Sequence, residues 1–321
     1  MFVAGLYHGP GKPKDVNLFL ADFRDEIVKL KSSGFDFKGN TIRVSVVGMT
    51  CDTPATSFVW NIKTHNSFYG CRKCLCKGKW SASVTKLNKA KSGGRVTYPD
   101  LNAPLRTNCS FRQRRHRNHH NKNGVRSVIE DVIEDMIGDV HLDYMHLVCI
   151  GSYKKVLTCY FSHPFDTIRL SAAILEEISA FRVYVQKFIP SDFARKPREA
   201  KYLNRWKAAE LRLDLLYLCP VIYKKFLSKT RYHHIMLLHV AIRLLLEIDS
   251  CKEDSVYADK LLRLFIKASS KLFGPQFVSF NIHSLCHLAE GVRKHGSLEE
   301  TSAFPFENQI QIIKSIKEEK T

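Results

Sequence analysis

The sequence predicts a mixed fold, with an α/β unit at the N-terminal end and a large, mostly helical region after it. Three observations carry that expectation. The run Ile42 to Val47 alternates and then saturates with β-branched residues, as a half-buried strand does. Amphipathic helical spacing precedes it between Val16 and Ser32 and dominates beyond Val125. A hydrophobic content of 45% over 321 residues is enough to build one large core or two entwined ones.

Taken in order, Phe2 to Tyr7 reads as a strand, and His8-Gly-Pro-Gly-Lys-Pro13 as a turn. A helix is predicted over Val16 to Ser32, with Gly34 ending it. The strand Ile42–Val47 is followed by Asp52 and then by Thr53-Pro54-Ala55, a helix start with proline in the first turn, where its missing N–H costs nothing. Asp52 has two readings: a carboxylate held at a strand end to bind a metal, or a helix N-cap. Cys71-Arg-Lys-Cys74 has three: half of a tetrahedral zinc site, a redox pair, or two unrelated thiols.

The ten cysteines are irregularly spaced, which argues against a disulfide framework and for a reducing intracellular setting. No secretory leader is expected at the N-terminus. The most apolar run, Ile235 to Ile248, is interrupted by His239 and Arg243 and is too short to span a bilayer, so it predicts a buried helix and no membrane partner.

The net charge of +19 is concentrated in one place. Between Cys71 and Arg126 there are fifteen Lys and Arg and a single acid, Asp100, with Trp80, Tyr98 and Phe111 interleaved. That density suits a surface neutralising phosphates, with Lys77, Lys79, Arg112, Arg114, Arg115 and Arg117 as candidate contacts; the bland alternative is a solvated basic loop. Arg112 to His120 also resembles a nuclear import signal. His119 and His120 read as solvated or as zinc ligands.

Helices are predicted over Ser127–Ile137, Leu142–Leu157, Asp166–Phe188, Ala200–Leu218, Tyr232–Ile248 and Ala258–Phe273. Asp143 and His146 share a helix face, as a metal or a hydrogen-bonding pair. The cluster Trp206 to Arg212 reads as inter-helix packing. His283 and His287, four apart, project from one face and would complete a Cys₂His₂ site with Cys71 and Cys74; a core histidine pair is the alternative. Pro305 can start a helix carrying Glu307, whose local reading is a dipole-complementing residue.

Together, Gly5–Pro13, Cys51–Ala55, His65–Cys74, Asp143-Tyr-Met-His146, Trp206–Arg212 and His283–Glu307 resemble, in order and rough spacing, the catalytic core of DNA transposases of the CACTA (En/Spm-like, Tnp2) group. The resemblance implies an RNase H-like core interrupted by a large helical insertion. The corresponding segments would be a first core part at 1–70, the Cys pair and basic loop at 71–126, the insertion at 127–274, and the His pair with the last core helix at 275–321. It makes Asp52 and Glu307 the second and third acids of a DDE triad, holding two Mg²⁺ or Mn²⁺ ions about 4 Å apart for DNA cleavage and strand transfer. It also makes Cys71, Cys74, His283 and His287 a structural Zn²⁺ site tying the insertion to the catalytic fold. The family's first aspartate lies on a strand before the segment matching Phe2–Tyr7. The chain therefore reads as an N-terminally incomplete core: a fragment, a truncated reading or a degenerate copy. DNA is the expected partner, the nucleus the expected location, and a homo-oligomer on paired DNA ends the expected assembly. A catalytically inactive, zinc-stabilised nucleic-acid-binding protein of the same origin is the alternative, and a helical interaction scaffold a third.

Overall fold

The structure is a computed structural model that describes residues 3–82, 93–121, 124–165 and 167–318. It is mostly helical, with two small antiparallel sheets of two strands each. Among the described residues, no helix is long and apolar enough to cross a membrane. The chain divides into two compact units. One comprises the residues up to Leu75 with Ala103–His141, the other Cys76–Asn102 with the residues from Leu142 onward.

In the first unit, the predicted helix over Val16 to Ser32 forms as α1 (Val16–Phe19) and α2 (Ala21–Ser32). Asp15 caps α1 by accepting from the backbone N–H groups of Asn17 and Leu18 at 2.8 and 3.2 Å. Gly34 follows α2 at φ 71°, where a β-carbon would meet the Ile42 carbonyl oxygen at 2.5 Å, so only glycine fits the turn. The hairpin β1 (Phe35–Phe37) and β2 (Asn40–Ile42) turns through Lys38-Gly39, both at positive φ. The strand expected over Ile42–Val47 pairs only at its first residue. Beyond it, Val44 N–H reaches the Leu30 carbonyl at 3.3 Å and Met49 bridges Val140 in parallel, so the segment is tied by single bonds rather than a ladder. Likewise residues 3–7 form no strand, with Val3 and Leu6 exposed; Phe2, the start of that expected strand, lies outside the described residues. Alternating hydrophobicity makes a strand only where a neighbouring strand supplies the ladder.

Helix α3 (Thr53–Val59) leads to Trp60, which sits at the centre of this unit's core with Phe111, Ile129, Ile133 and Met136. Its indole N–H donates to the Met136 carbonyl at 3.1 Å. Near it run α4 (Asn108–Arg112) and α5 (Ile129–Val132). The helix expected over Ser127–Ile137 stops at α5 because side chains take over its backbone groups. Arg112 donates to the carbonyls of Glu130 and Ile133 at 2.8 and 2.7 Å, and the Asp139 carboxylate accepts from Asp135 N–H at 3.1 Å.

The second unit opens with the hairpin β3 (Lys79–Ala82) and β4 (Gly94–Thr97); the residues joining them in the expected basic loop, 83–92, lie outside the described set. A π-helical stretch, Met145–Tyr153, then runs into α6 (Lys154–Ser162). It is followed by α7 (Ala172–Val185), capped by Ser171, whose predicted start at Asp166 is outside the described residues. Next come α8 (Ala208–Leu213), a second π turn Asp214–Leu218, and α9 (Cys219–Phe226). The long antiparallel pair α10 (Lys229–Leu246) and α11 (Cys251–Phe273) contributes buried side chains such as Ile242, Leu245, Leu262 and Phe265 to the apolar core. Short helices α12 (Phe280–Ser284) and α13 (Leu288–His295) precede α14 (Phe304–Glu318). Neither π segment was legible as such. At Gly151 a β-carbon would meet Asn281 Nδ2 at 2.4 Å, so glycine lets the first π stretch approach α12 closely.

A largely buried ionic network braces this core. Asp214 pairs with Arg182, both at 0% side-chain exposure, and accepts from the hydroxyls of Tyr153 and Tyr223 at 2.6 and 3.0 Å. The Arg182 guanidinium lies 3.7 Å from the Trp206 ring centre, and Glu210 accepts from Arg198 Nε at 2.9 Å. The Trp206–Arg212 cluster thus packs helices together, as one reading of it expected, but through charges.

Two outcomes follow for stability. Asp214→Leu or Arg182→Met alone leaves its partner's charge buried and unpaired, so each should cost about 3–5 kcal/mol in urea unfolding, and the double variant clearly less than their sum. His234, held neutral between Tyr160 Oη and Ser269 Oγ at 3.2 and 2.8 Å, has its pKa lowered to about 4 by burial. The unfolded chain then binds the extra proton, so this stabilisation is complete above pH 6.5 and is lost as pH falls, about 3 kcal/mol by pH 4. A His234→Gln variant should show a flatter decline of stability between pH 6.5 and 4; an unchanged slope would remove this residue as the cause.

Candidate metal centre

Both halves of the expected site are built by local chemistry. Cys71 and Cys74 flank a tight turn in which the Cys74 N–H donates to Cys71 Sγ at 3.4 Å, and the two sulfurs are 3.4 Å apart. The residues between them anchor that turn. Arg72 donates to Thr56 Oγ1 and, at 3.1 Å, to Thr53 Oγ1 on α3, while buried Lys73 gives its ammonium to the carbonyls of Ile137 and Val140. Arg106 Nε donates to the Cys71 carbonyl at 3.0 Å. Burial lowers the Arg106 pKa, and the thiolate charge of Cys71 and Cys74 opposes the shift.

His283, on α12, is oriented by Tyr98 just beyond β4. The Tyr98 carbonyl accepts from His283 Nδ1–H at 3.1 Å, and Tyr98 N–H donates to the Val278 carbonyl at 2.8 Å. That bond places the proton on Nδ1 and leaves the Nε2 lone pair available for a metal. His287 follows in a 3₁₀ turn, its Nε2 3.4 Å from His283 Nε2.

The ligand atoms of Cys71, Cys74, His283 and His287 all lie within 4.8 Å of one another, and all four residues are buried. A tetrahedral site with bonds of about 2.0–2.3 Å has edges of about 3.3–3.8 Å. Both the S···S and the N···N separations of 3.4 Å fall in that range. Two thiolates and two neutral imidazoles are a closed zinc donor set, with no place left for substrate, so the centre suits a structural ion.

The chain matches no protein-family model, no curated protein and no solved structure. The site's chemistry therefore rests on its own geometry.

The other expected site residues stand as follows. Asp52 is the N-cap of α3: its Oδ1 accepts from Ala55 N–H at 2.6 Å, the capping alternative of the two. Glu307 lies in the first turn of α14, with Oε1 3.9 Å from His146 Nε2. His146 Nδ1 is in turn bonded to Asp143, whose buried carboxylate also accepts from the N–H groups of Met145, His146 and Ala303. Asp143 and His146 are thus the hydrogen-bonding pair, aligned with Glu307. Among the described residues, the one group of three or more potential metal ligands is the Cys₂His₂ set, and neither Asp52 nor Glu307 belongs to it.

Of the candidate phosphate contacts, Lys77, Lys79, Arg115 and Arg117 are exposed. Arg112 and Arg114 are engaged internally, Arg112 on the carbonyls beyond α5 and Arg114 in an ion pair with buried Glu130. His119 and His120 are not solvated, as one reading had them, but buried against Phe111. Burial and nearby arginines lower their pKa values to about 3 and about 4, and His119 Nδ1 donates to the Tyr69 carbonyl at 2.7 Å. Sequence reasoning missed Tyr98 and Arg106 as supports, since nothing in their local pattern marks them. Arg72 and Lys73 carried a signal: two cations inside a buried turn must find acceptors.

The purified chain should contain one zinc per molecule by elemental analysis. Cys74→Ser and His287→Ala should each lose it and unfold with a loss on the order of 5 kcal/mol or more. Full-stability protein without metal would exclude the site.

Proposed function

We propose that the chain is a transposase-derived protein of the CACTA (En/Spm-like, Tnp2) type: a DNA-acting, RNase H-like catalytic core interrupted by a helical insertion and stabilised by zinc. One observation carries the reading. Two residue pairs some two hundred positions apart, marked by their spacing and matched by the resemblance, meet as a closed Cys₂His₂ set. Each pair is local in sequence, but nothing local brings the two pairs together.

In this reading Asp52 and Glu307 would hold Mg²⁺ or Mn²⁺, which supplies activation of a water or 3′-hydroxyl against a DNA phosphodiester. The chain's own groups orient and charge-balance. His146, aligned by Asp143, stands beside the Glu307 carboxylate and steadies it. Arg72 fixes the N-terminal turn of α3 that carries Asp52. Lys77, Lys79, Arg115 and Arg117 present exposed charge for DNA phosphates. Nuclear location and action as a homo-oligomer on paired DNA ends belong to the same proposal.

The second reading, a catalytically inactive zinc-stabilised nucleic-acid-binding protein of the same origin, is favoured by the Asp52 carboxylate's role as a helix cap. Cleavage separates the two. With supercoiled plasmid and Mn²⁺, the enzyme should nick DNA, and Asp52→Ala or Glu307→Gln should reduce the rate at least a hundredfold without changing DNA affinity. Binding without cleavage in every variant selects the second reading. Neutralising Arg115 and Arg117 should weaken binding and flatten its salt dependence by about two phosphate contacts, whereas Arg112→Ala should chiefly destabilise the fold. If the unaltered chain does not bind DNA at all, both readings fall.

A further inference from the structure

A cavity of about 440 Å³ opens in the second unit, between the β3/β4 hairpin, α6 and the turn after α11. Arg95, Lys155, Cys159, His163, Phe165 and Phe277 contribute to its walls, and no carboxylate does among the described residues. None of these residues takes part in the zinc centre or stands among the candidate DNA contacts.

The donors here are held but not consumed. Lys155 Nζ donates to the Phe277 carbonyl at 2.7 Å and to Ser279 Oγ at 2.8 Å, which fixes the ammonium 4.4 Å from the Phe277 ring centre and leaves one N–H. Those partners are neutral, and no described acid forms an ion pair with Lys155 or with exposed Arg95. Burial and Arg95 lower the Lys155 pKa to about 7, as expected for a desolvated ammonium beside another cation. His163 Nδ1 accepts from the Phe165 N–H at 3.1 Å, so in its neutral form the proton sits on Nε2, a further donor. Cys159 adds no negative charge, because burial raises its thiol to about 11. Two cations and an imidazole N–H thus share an apolar, aromatic-walled cavity of ordinary ligand size.

We infer that this cavity binds a small phosphate monoester carried on an aromatic body, a nucleoside monophosphate in size and chemistry. The phosphate supplies a counter-charge to Arg95 and Lys155 and accepts from His163, and the base or sugar packs on Phe165 and Phe277. The inference stands apart from the nuclease proposal and survives its failure.

The test uses the full zinc-loaded chain and isothermal titration with AMP, adenosine and inorganic phosphate. AMP should bind, inorganic phosphate should bind at least tenfold more weakly, and adenosine should not bind measurably. Arg95→Gln, an exposed strand residue, should weaken AMP at least tenfold with an unchanged melting temperature. Independently, in chain whose lysines are ¹³C-methylated, the Lys155 resonance, assigned by its loss in Lys155→Arg, should titrate at higher pH when AMP is present. Equal binding of adenosine and AMP, or no binding of AMP, would overturn the proposal. So would inorganic phosphate binding as tightly as AMP, or a Lys155 titration that ignores the ligand.

Discussion

Four buried side chains that water would otherwise solvate set the hardest constraint on this molecule. Two thiols and two imidazoles brought within 4.8 Å of one another in a buried setting give up their solvation. A divalent metal resolves that cost at once, because it takes all four lone pairs and balances the charge of both thiolates. The surroundings are arranged around this requirement. Arg72 and Lys73 bind the Cys turn to α3 and to the carbonyls near Val140, and Tyr98 fixes the tautomer of His283. An ion at the centre closes a loop of some two hundred residues, which removes more freedom from the unfolded chain than a local clip would.

Charge burial recurs elsewhere, with a different solution. In the helical unit, Arg182 and Asp214 are sealed from water and held by two tyrosine hydroxyls and the Trp206 face. Such a pair adds little net stability over apolar packing but makes mispacked arrangements costly, since any register that separates the partners strands a charge. The π turn at Asp214–Leu218 begins at the residue that anchors this network. A helix widened at that point and a buried carboxylate with three partners are two aspects of one local constraint.

Legibility followed the range of the interaction. The cap at Asp52, one of its two readings, the stop at Gly34, the long helices α10 and α11 and the start of α14 beside Pro305 depend on neighbours in sequence, and these were readable. The expected strand over Ile42–Val47 failed because its alternation is real but its ladder depends on partners that the pattern cannot name. The helix after Ser127 failed for a related reason: Arg112, fifteen or more residues upstream, supplies donors to carbonyls that a helix would otherwise have used. His119 and His120 looked like surface residues because the arginines around them are charged; the backbone buries the rings and turns the arginines outward or onto Glu130.

The basic segment shows how charge counting and charge availability differ. Its excess of lysine and arginine is a property of composition, but a guanidinium bonded to several carbonyls, as that of Arg112 is, has little left to offer a phosphate. Arg114 is half neutralised by Glu130, and Arg106 is turned inward toward Cys71. What remains for long-range attraction is the subset that stays exposed, Lys77, Lys79, Arg115 and Arg117 among them, together with the summed field of a chain carrying +19. Arg95 and Lys155 differ from both groups in sharing a cavity. They are cations without a described acid at one cavity, Arg95 exposed at its rim and Lys155 partly buried in its wall, and a desolvated cation such as Lys155 attracts an anion far more selectively than a solvated one.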